Sequence, residues 1–210
     1  MTPQNSPRAK LFVLSGPSGV GKTTLAQAVI DGDTNLQRAI THTSRKPRAG
    51  EVDGLHYHFV SENRFLEMKS NQEFLETVHI FGSYYGTSQA AVQSSLDRNM
   101  DTMLIIDFQG AQNVRVLMQS VTSIFVLPPS VDALKDRLLE RAETDDETLQ
   151  SRIEKARYEM SQHADYDFVI VNDSFESTVE QLHEIVEGVR SNRKLPIGPT
   201  QQEIASILST

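Results

Sequence analysis

Gly16-Pro17-Ser18-Gly19-Val20-Gly21-Lys22-Thr23 decides the fold, because it fits G-x-x-x-x-G-K-[ST] and sits between two segments that give the pattern a meaning. Before it, Lys10-Leu11-Phe12-Val13-Leu14 is a short apolar run that reads as a buried strand. After it, Thr24-Leu25-Ala26-Gln27-Ala28-Val29-Ile30 reads as a helix. A strand that feeds a glycine loop and then a helix aims several backbone N–H groups at one point, and the helix N-terminus adds partial positive charge there. Gly16, Gly19 and Gly21 let the backbone wrap a phosphate group without a Cβ in the way. Pro17, Ser18, Val20 and Thr24 complete the loop and its exit. Lys22 is placed to reach the β- and γ-phosphates of a bound nucleotide, and the Thr23 hydroxyl to ligate Mg²⁺.

A chain of 210 residues can bury one full core. Its 38% hydrophobic and 23% charged residues are ordinary for a globular protein. No apolar run approaches the ~20 residues of a membrane span, so no membrane partner is expected. Met1 to Arg8 lack an apolar h-region, which argues against a secretory signal. There are no cysteines, hence no disulfides or thiolate metal sites, as suits a reducing cytoplasm. A net charge of −8 argues against a nucleic-acid polymer as partner. A mononucleotide needs only local positive charge.

Around the loop, short apolar strands are expected at Leu11–Leu14, Ala39–His42, Tyr57–Val60, Met103–Ile106, Ser123–Leu127 and Phe168–Val171. Helical stripes lie between them: Val131, Leu134 and Leu138 after the N-cap Ser130; Leu149, Ile153, Ala156 and Met160; and Val179, Leu182, Ile185, Val186 and Val189. Alternating strands and helices give an α/β fold, a parallel sheet of the P-loop NTPase type flanked by helices. The stretch 41–89 breaks the rhythm with Tyr, Phe, His and Gly and reads as a small mixed insertion. Residues 144–147 read as a mobile lid tip, with Asp145, Asp146 and Glu147 as carboxylates favoured at a helix start rather than a metal site. Residues 1–9 form a flexible start. Residues 191–210 form a linker and a short helix, Gln201 to Leu208, for which contact within a homo-oligomer is one use. The histidines show no ligand spacing, and His56 and His58 alternate on one strand as a satisfied or solvated pair.

A second segment carries chemistry. In Thr41-His42-Thr43-Ser44-Arg45-Lys46-Pro47-Arg48-Ala49-Gly50-Glu51-Val52-Asp53-Gly54, the cations Arg45, Lys46 and Arg48 stand close together on a Pro/Gly loop that cannot be helical. Guanidinium groups suit bidentate recognition of phosphate. With the phosphate loop, the basic loop implies a second, phosphorylated substrate.

Together with Phe81-Gly82-Ser83-Tyr84-Tyr85-Gly86-Thr87, Ile106-Asp107-Phe108-Gln109-Gly110-Ala111 and Val169-Ile170-Val171-Asn172-Asp173, these motifs make the chain similar to the guanylate kinases, from about Lys10 to Arg190. The resemblance implies transfer of the γ-phosphoryl of ATP to GMP, and possible use of dGMP. It implies a core of residues 10–40 and 90–190, a GMP-binding insertion at about 41–89 and a helical lid at about 137–152. By position, Arg45, Arg48, Tyr57 and Tyr85 match the grip on the GMP phosphate, a set that offers donors to a dianion. Glu76 matches the carboxylate that reads guanine, whose N1–H and N2–H₂ stand side by side; adenine lacks that donor pair. Thr41 and Thr87 match hydroxyls completing base recognition, and Glu51, Gly86 and Asp107 fall in the same motifs and join the acceptor site. Lys22, Arg45, Arg137, Arg141 and Arg152 match the groups acting on the transferring phosphate, and Asn172 and Asp173 a loop beside the adenine of ATP.

The chain departs from the family pattern twice. Ile105 stands where the family has an acidic residue two before Asp107, and Ala142 follows Arg141 where it favours glycine. The first departure leaves room for a related kinase acting on a modified nucleotide or another phosphorylated acceptor. A catalytically silent binding module of the same family is a third reading, opposed by the intact Lys22 and Thr23.

Overall fold

The computed structural model describes residues 9–80, 82–118, 120–140, 146–195 and 198–209; of Glu140 and residues 146–148 it describes the backbone alone. Expectations for residues 1–8, for Phe81, for Arg141 and Ala142, and for Thr144 and Asp145 at the lid tip therefore lie outside the described residues.

Strand β1 (Leu11–Ser15) is buried along its whole length, as expected of a strand covered on both faces. It occupies the centre of a five-stranded sheet with β2 (Leu36–Arg38), β7 (Asp101–Ile105), β8 (Val121–Leu127) and β9 (Phe168–Val171), in the order β2-β7-β1-β8-β9. The β2/β7 and β8/β9 pairs are parallel, with Leu36 opposite Asp101 and Ile124 opposite Phe168. A second, mixed sheet has the order β4-β3-β6-β5, formed by β3 (His42–Thr43), β4 (His58–Phe59), β5 (Phe74–Ile80) and β6 (Ser83–Ser88). The helices are α1 (Lys22–Asp31), α2 (Glu62–Ser70), α3 (Gln89–Asp97), α4 (Phe108–Leu117), α5 (Val131–Glu140), α6 (Asp146–Ser161), α7 (Phe175–Arg190) and α8 (Gln201–Ser209). The fold is thus α/β, with a parallel sheet flanked by helices. No helix among the described residues is long and apolar enough to cross a membrane.

The chain divides into two compact units. One centres on Asn35–Leu104 and Gln109–Val121, and holds the mixed sheet. Its packing starts from Phe65 on α2, which is fully buried and stacks on Phe74 and Tyr84 at 4.6 and 5.4 Å between ring centroids. Ser61 caps α2 by accepting from the Arg64 N–H at 3.2 Å. The other unit holds Val13–Thr34, Ile105–Phe108 and the chain from Thr122 onward, so it contains the glycine loop. Here α1 buries Leu25, Ala26 and Val29, and α7, capped by Ser174, buries Leu182, Ile185 and Val186. Asp167 ties the start of β9 to β8: its carboxylate accepts from both the N–H and the hydroxyl of Ser123 at 2.7 Å.

Two strand expectations are corrected. Ala39–His42 is not one strand: the chain leaves the parallel sheet at Arg38 and enters the mixed sheet at His42. Tyr57–Val60 shortens to His58–Phe59, so His56 lies outside the strand. The two histidines have different partners: His56 accepts from the Val52 N–H at 3.0 Å, and His58 packs 4.6 Å from His42.

Candidate functional site

Each unit carries its own cluster of the residues singled out from sequence. In the unit with β1, the chain leaves the strand into Gly16 at φ +144°, where a Cβ would run into the Val126 carbonyl. It enters α1 through Gly21 in the left-handed region, φ +100°. A side chain at Gly21 would be strained and would also meet the Asn172 amide at 2.8 Å. Gly21 takes the N-cap position with no capping side chain, and no acidic residue occupies the first turn. No carboxylate of the helix's own first turn therefore offsets the N–H groups and positive end of α1. Lys22 folds back over its own loop and donates to the Gly16 and Pro17 carbonyls at 2.6 and 3.0 Å. Thr23 and Thr24 are exposed on the first turn.

Two residues distant in sequence brace this loop. Asn172 is buried and donates its side-chain amide to the Val20 carbonyl at 2.7 Å. Arg137 on α5 donates to the Val20 and Asn172 carbonyls at 3.4 and 3.2 Å. Gly19, Gly21, Thr24, Arg137, Asn172, Asp173 and Phe175 line a cavity of about 290 Å³ beside the loop. Phe175 is 39% exposed, so a ring face is available at the cavity wall. It followed the Asn172-Asp173 motif by two residues, but an aromatic at a helix start has no sequence signal of its own.

Asp107, assigned from sequence to the acceptor, lies in this same unit, half-buried. Strand β7 ends at Ile105, and a second carboxylate of this unit comes from α6: Glu159, buried at 5% exposure and 3.7 Å from Lys155. Burial raises the Glu159 pKa, Lys22 and Lys155 oppose that rise, and Asp107 adds to it. Arg152 lies on α6 seven residues before Glu159, two turns along the same face. A lone glutamate inside a helical stripe gave no sequence signal.

The unit with the mixed sheet gathers the other set. Arg45 and Glu51 form a bidentate pair, Nη1 to Oε2 at 2.9 Å and Nη2 to Oε1 at 2.8 Å. Glu51 also accepts from the Arg48 N–H at 2.7 Å. The Arg45 hydrogen bonds, against a smaller cost of burial, hold the Glu51 carboxyl below the usual carboxylate range. The Arg45 guanidinium lies 5.4 Å from the centre of the Tyr57 ring, and the Tyr57 and Tyr85 rings meet edge to face at 6.1 Å. The structure does not bring the Arg48 side chain into this group; it is exposed. Thr41 is buried nearby in sequence, at 5% exposure.

Glu76 reaches the interior by a local irregularity. Strand β5 shifts register between Phe74 and Glu76, so Leu75 and Glu76 are both buried instead of alternating. Thr87, opposite Glu76 on β6, donates its hydroxyl to Glu76 Oε1 at 2.7 Å. Gly86 beside it is buried, and a Cβ there would meet Phe74 and Phe65 at 2.9 and 3.0 Å. Its place in the site is that of a backbone pressed against the aromatic stack. Arg38, which the sequence reading did not single out, also belongs to this group: its guanidinium stands 5.7 Å from the Tyr57 ring centre.

Among the described residues, no group of three or more His, Asp or Glu side chains is arranged to hold a metal ion.

The whole chain also has known relatives. The family model described as guanylate kinase matches residues 8–189. The guanylate kinase of Methylobacillus flagellatus is 44% identical over 201 residues, which cover 96% of this chain and all of that protein. That of Pseudomonas fluorescens is 42% identical, covering 88% of this chain and 89% of its own. Among solved structures, the crystal structure of guanylate kinase from Anaplasma phagocytophilum superposes with a TM-score of 0.74 at 30% identity, covering 91% of this chain and 89% of that one.

Proposed function

The chain belongs to the guanylate kinase family, and on that premise we propose that it phosphorylates GMP to GDP with ATP, using the two residue clusters above as donor and acceptor sites. The observation that carries the reading is the pairing of two built features in one chain. One is a glycine loop opening a helix with Lys22 on it. The other is a buried carboxylate, Glu76, held by Thr87 on the sheet that also carries Tyr85, in the unit that holds Arg45 and Tyr57.

On this reading the loop N–H groups, Gly16 to Thr24, hold the ATP phosphates, and Lys22 exchanges its two carbonyl partners for phosphate oxygens. Asp173 and the Phe175 ring face the adenosine side of the cavity, while Asn172 keeps the loop in shape. Among the described residues the donor set suits magnesium carried in by the nucleotide: the exposed Thr23 hydroxyl would supply one ligand. Bound there, it neutralises charge on the transferring phosphoryl group. Asp107 and Glu159 hold the Lys22 region electrostatically. Arg137, Arg141 and Arg152 are assigned to the charge that develops in transfer.

At the acceptor, Glu76 takes the N1–H and N2–H₂ of guanine, with Thr41 and Thr87 completing the base site. Arg45, Arg48, Tyr57 and Tyr85 donate to the phosphate, and Glu51 fixes the Arg45 fork so that little freedom is lost on binding. AMP would leave the Glu76 carboxylate without its donor pair, which discriminates strongly. Direct transfer needs the two phosphates in line and water excluded, so no covalent enzyme intermediate is required. We place the reaction in the cytoplasm, and dGMP and self-association belong to the same proposal.

The test is ADP release with Mg-ATP and a panel of GMP, AMP, CMP and UMP. GMP should exceed the others by about 100-fold or more in kcat/KM, as a site built on paired hydrogen bonds does. Equal turnover of AMP, or none with GMP, rejects the reading.

A further inference from the structure

His42 and His58 share one register position of the mixed sheet: β3 and β4 run parallel, with His42 opposite His58 and Thr43 opposite Phe59. The two imidazoles are in ring contact, 4.6 Å between centroids. His42 also meets Phe74 edge to face at 5.5 Å, and Phe74 stacks on Phe65. His42 is half-buried, and its Nδ1 is buried with no hydrogen-bond partner among the described residues. The pair joins two pieces of the proposed acceptor site: Arg45 follows closely after His42 on the chain, and Tyr57 immediately precedes His58. Backbone bonds tie the two pieces, with the His58 and Val60 N–H groups donating to the Thr41 and Thr43 carbonyls at 2.9 and 3.0 Å.

A proton added to this pair meets no acceptor. A neutral imidazole can leave Nδ1 as a bare lone pair, whereas an imidazolium carries N–H on both ring nitrogens. On His42 the new donor would be buried and unpaired, which costs free energy. A second charge, on His58, would stand in ring contact with the first and repel it. The surroundings agree. Burial pulls the His42 pKa below its ordinary value; His58 on β4 and Arg64 on α2 add to the fall, while Glu73 ahead of β5 and Asp53 in the loop before β4 oppose it. Those three neighbours have partners of their own: Asp53 accepts from the Phe59 N–H at 2.8 Å, Glu73 from the Asn71 amide at 3.2 Å, and Arg64 pairs with Glu67 at 2.8 Å. Because the folded value is depressed, the opened chain binds more protons than the closed one. The closed pair is therefore fully stable above the unfolded histidine value of about 6.5, and its stability is lost as pH falls from there through the folded value.

We infer that the His42–His58 pair is a proton-sensitive latch for the acceptor phosphate: neutral, the two rings close β3 on β4 and keep Arg45 beside Tyr57; protonated, they part, and the grip on the phosphate loosens. In the closed pair the Arg45 guanidinium stands 5.4 Å from the Tyr57 ring centre. The inference rests on the assignment of Arg45 and Tyr57 to that phosphate. Glu76 and Thr87, which face the base on the same reading, stand on β5 and β6, outside the pair. Acid should therefore cost the latch its phosphate and not its base.

The experiment compares the wild-type chain with His42→Phe, which keeps a ring against His58 and Phe74 but takes no proton, at pH 7.5 and pH 5.5. Amide hydrogen exchange of the ligand-free protein reads the latch directly. Protection of the His58 and Val60 amides, corrected for intrinsic exchange, should fall roughly 5-fold in acid in the wild type, within the tenfold that one pKa unit allows. It should hold within about 2-fold in His42→Phe. Calorimetric binding of GMP should weaken roughly 5-fold more in the wild type than in the variant, since protonation of the nucleotide's own phosphate near pH 6 weighs equally on both. Guanosine should change by the same factor in the two chains. An equal acid loss of protection in both chains overturns the inference, as does an equal loss of GMP affinity. If His42→Phe does not fold, His42→Gln, neutral at both pH values, decides by the same comparison. A wild-type chain that binds GMP at neither pH refutes the proposed acceptor site, while the exchange comparison still judges the latch.

Discussion

Glu76 and Glu51 show how two carboxylates of one unit are set to different tasks by their partners. Glu76 is buried at 4% exposure and meets Thr87; Glu51 meets a guanidinium on both oxygens. Glu76→Gln replaces a dual acceptor by a group that presents one acceptor and one donor to guanine. We predict a fall in kcat/KM for GMP of about 10- to 150-fold, the range of a hydrogen bond to a charged group, with the KM for ATP unchanged in initial-rate assays. Glu51 makes a pH prediction. Its folded pKa is depressed, so its pairing with Arg45 stabilises the fold above the unfolded carboxyl value of about 4.3 and is lost as pH falls through the lower folded value. The wild-type urea midpoint should therefore drop more steeply between pH 5 and pH 3 than that of Glu51→Gln, with the two curves converging in acid.

At the scale of elements, the β5–β6 hairpin carries both Glu76 and Tyr85, and it is held by α2 through Phe65. Gly86→Ala would press a methyl group against Phe65 and Phe74, at 3.0 and 2.9 Å. Overpacking of this kind costs about 1–3 kcal/mol, which for a chain of this size lowers the melting temperature by roughly 2–12 °C in calorimetry. It should also raise the KM for GMP, since the hairpin carries the base reader. Legibility in sequence followed the same elements. The loop, β1, β9 and the stripes of α5, α6 and α7 were readable because a fixed motif or a long 3.6-residue period marks them. The helices α2, α3 and α4 were not expected: they are short, and their polar faces dilute the period. Strands β5 and β6 hid because the register shift at Phe74–Glu76 destroys the alternation that betrays a strand. The candidate site was legible where motifs carry it, at Lys22, Arg45 and Tyr85; Glu76 came only by position within the family resemblance. Arg38, Glu159 and Phe175 were not, because each acquires its meaning only from a neighbour distant in sequence.

On the proposed reading, the whole chain combines a phosphate-binding loop that any P-loop protein could own with an acceptor unit that selects one purine monophosphate. Ile105 removes the acid the family pattern places near Asp107, while Glu159 supplies a buried carboxylate there from α6. The family fold is thus kept while one position of the strand end is altered. The most direct measurement follows the phosphorus itself: the chain is given ATP labelled on the γ-phosphate, Mg²⁺ and GMP, and the products are separated. The account predicts label in the β-phosphate of GDP, one GDP formed for each ADP, and no GMP-dependent rise in labelled inorganic phosphate. Label appearing as free phosphate, or ADP formed at the same rate without GMP, would contradict it.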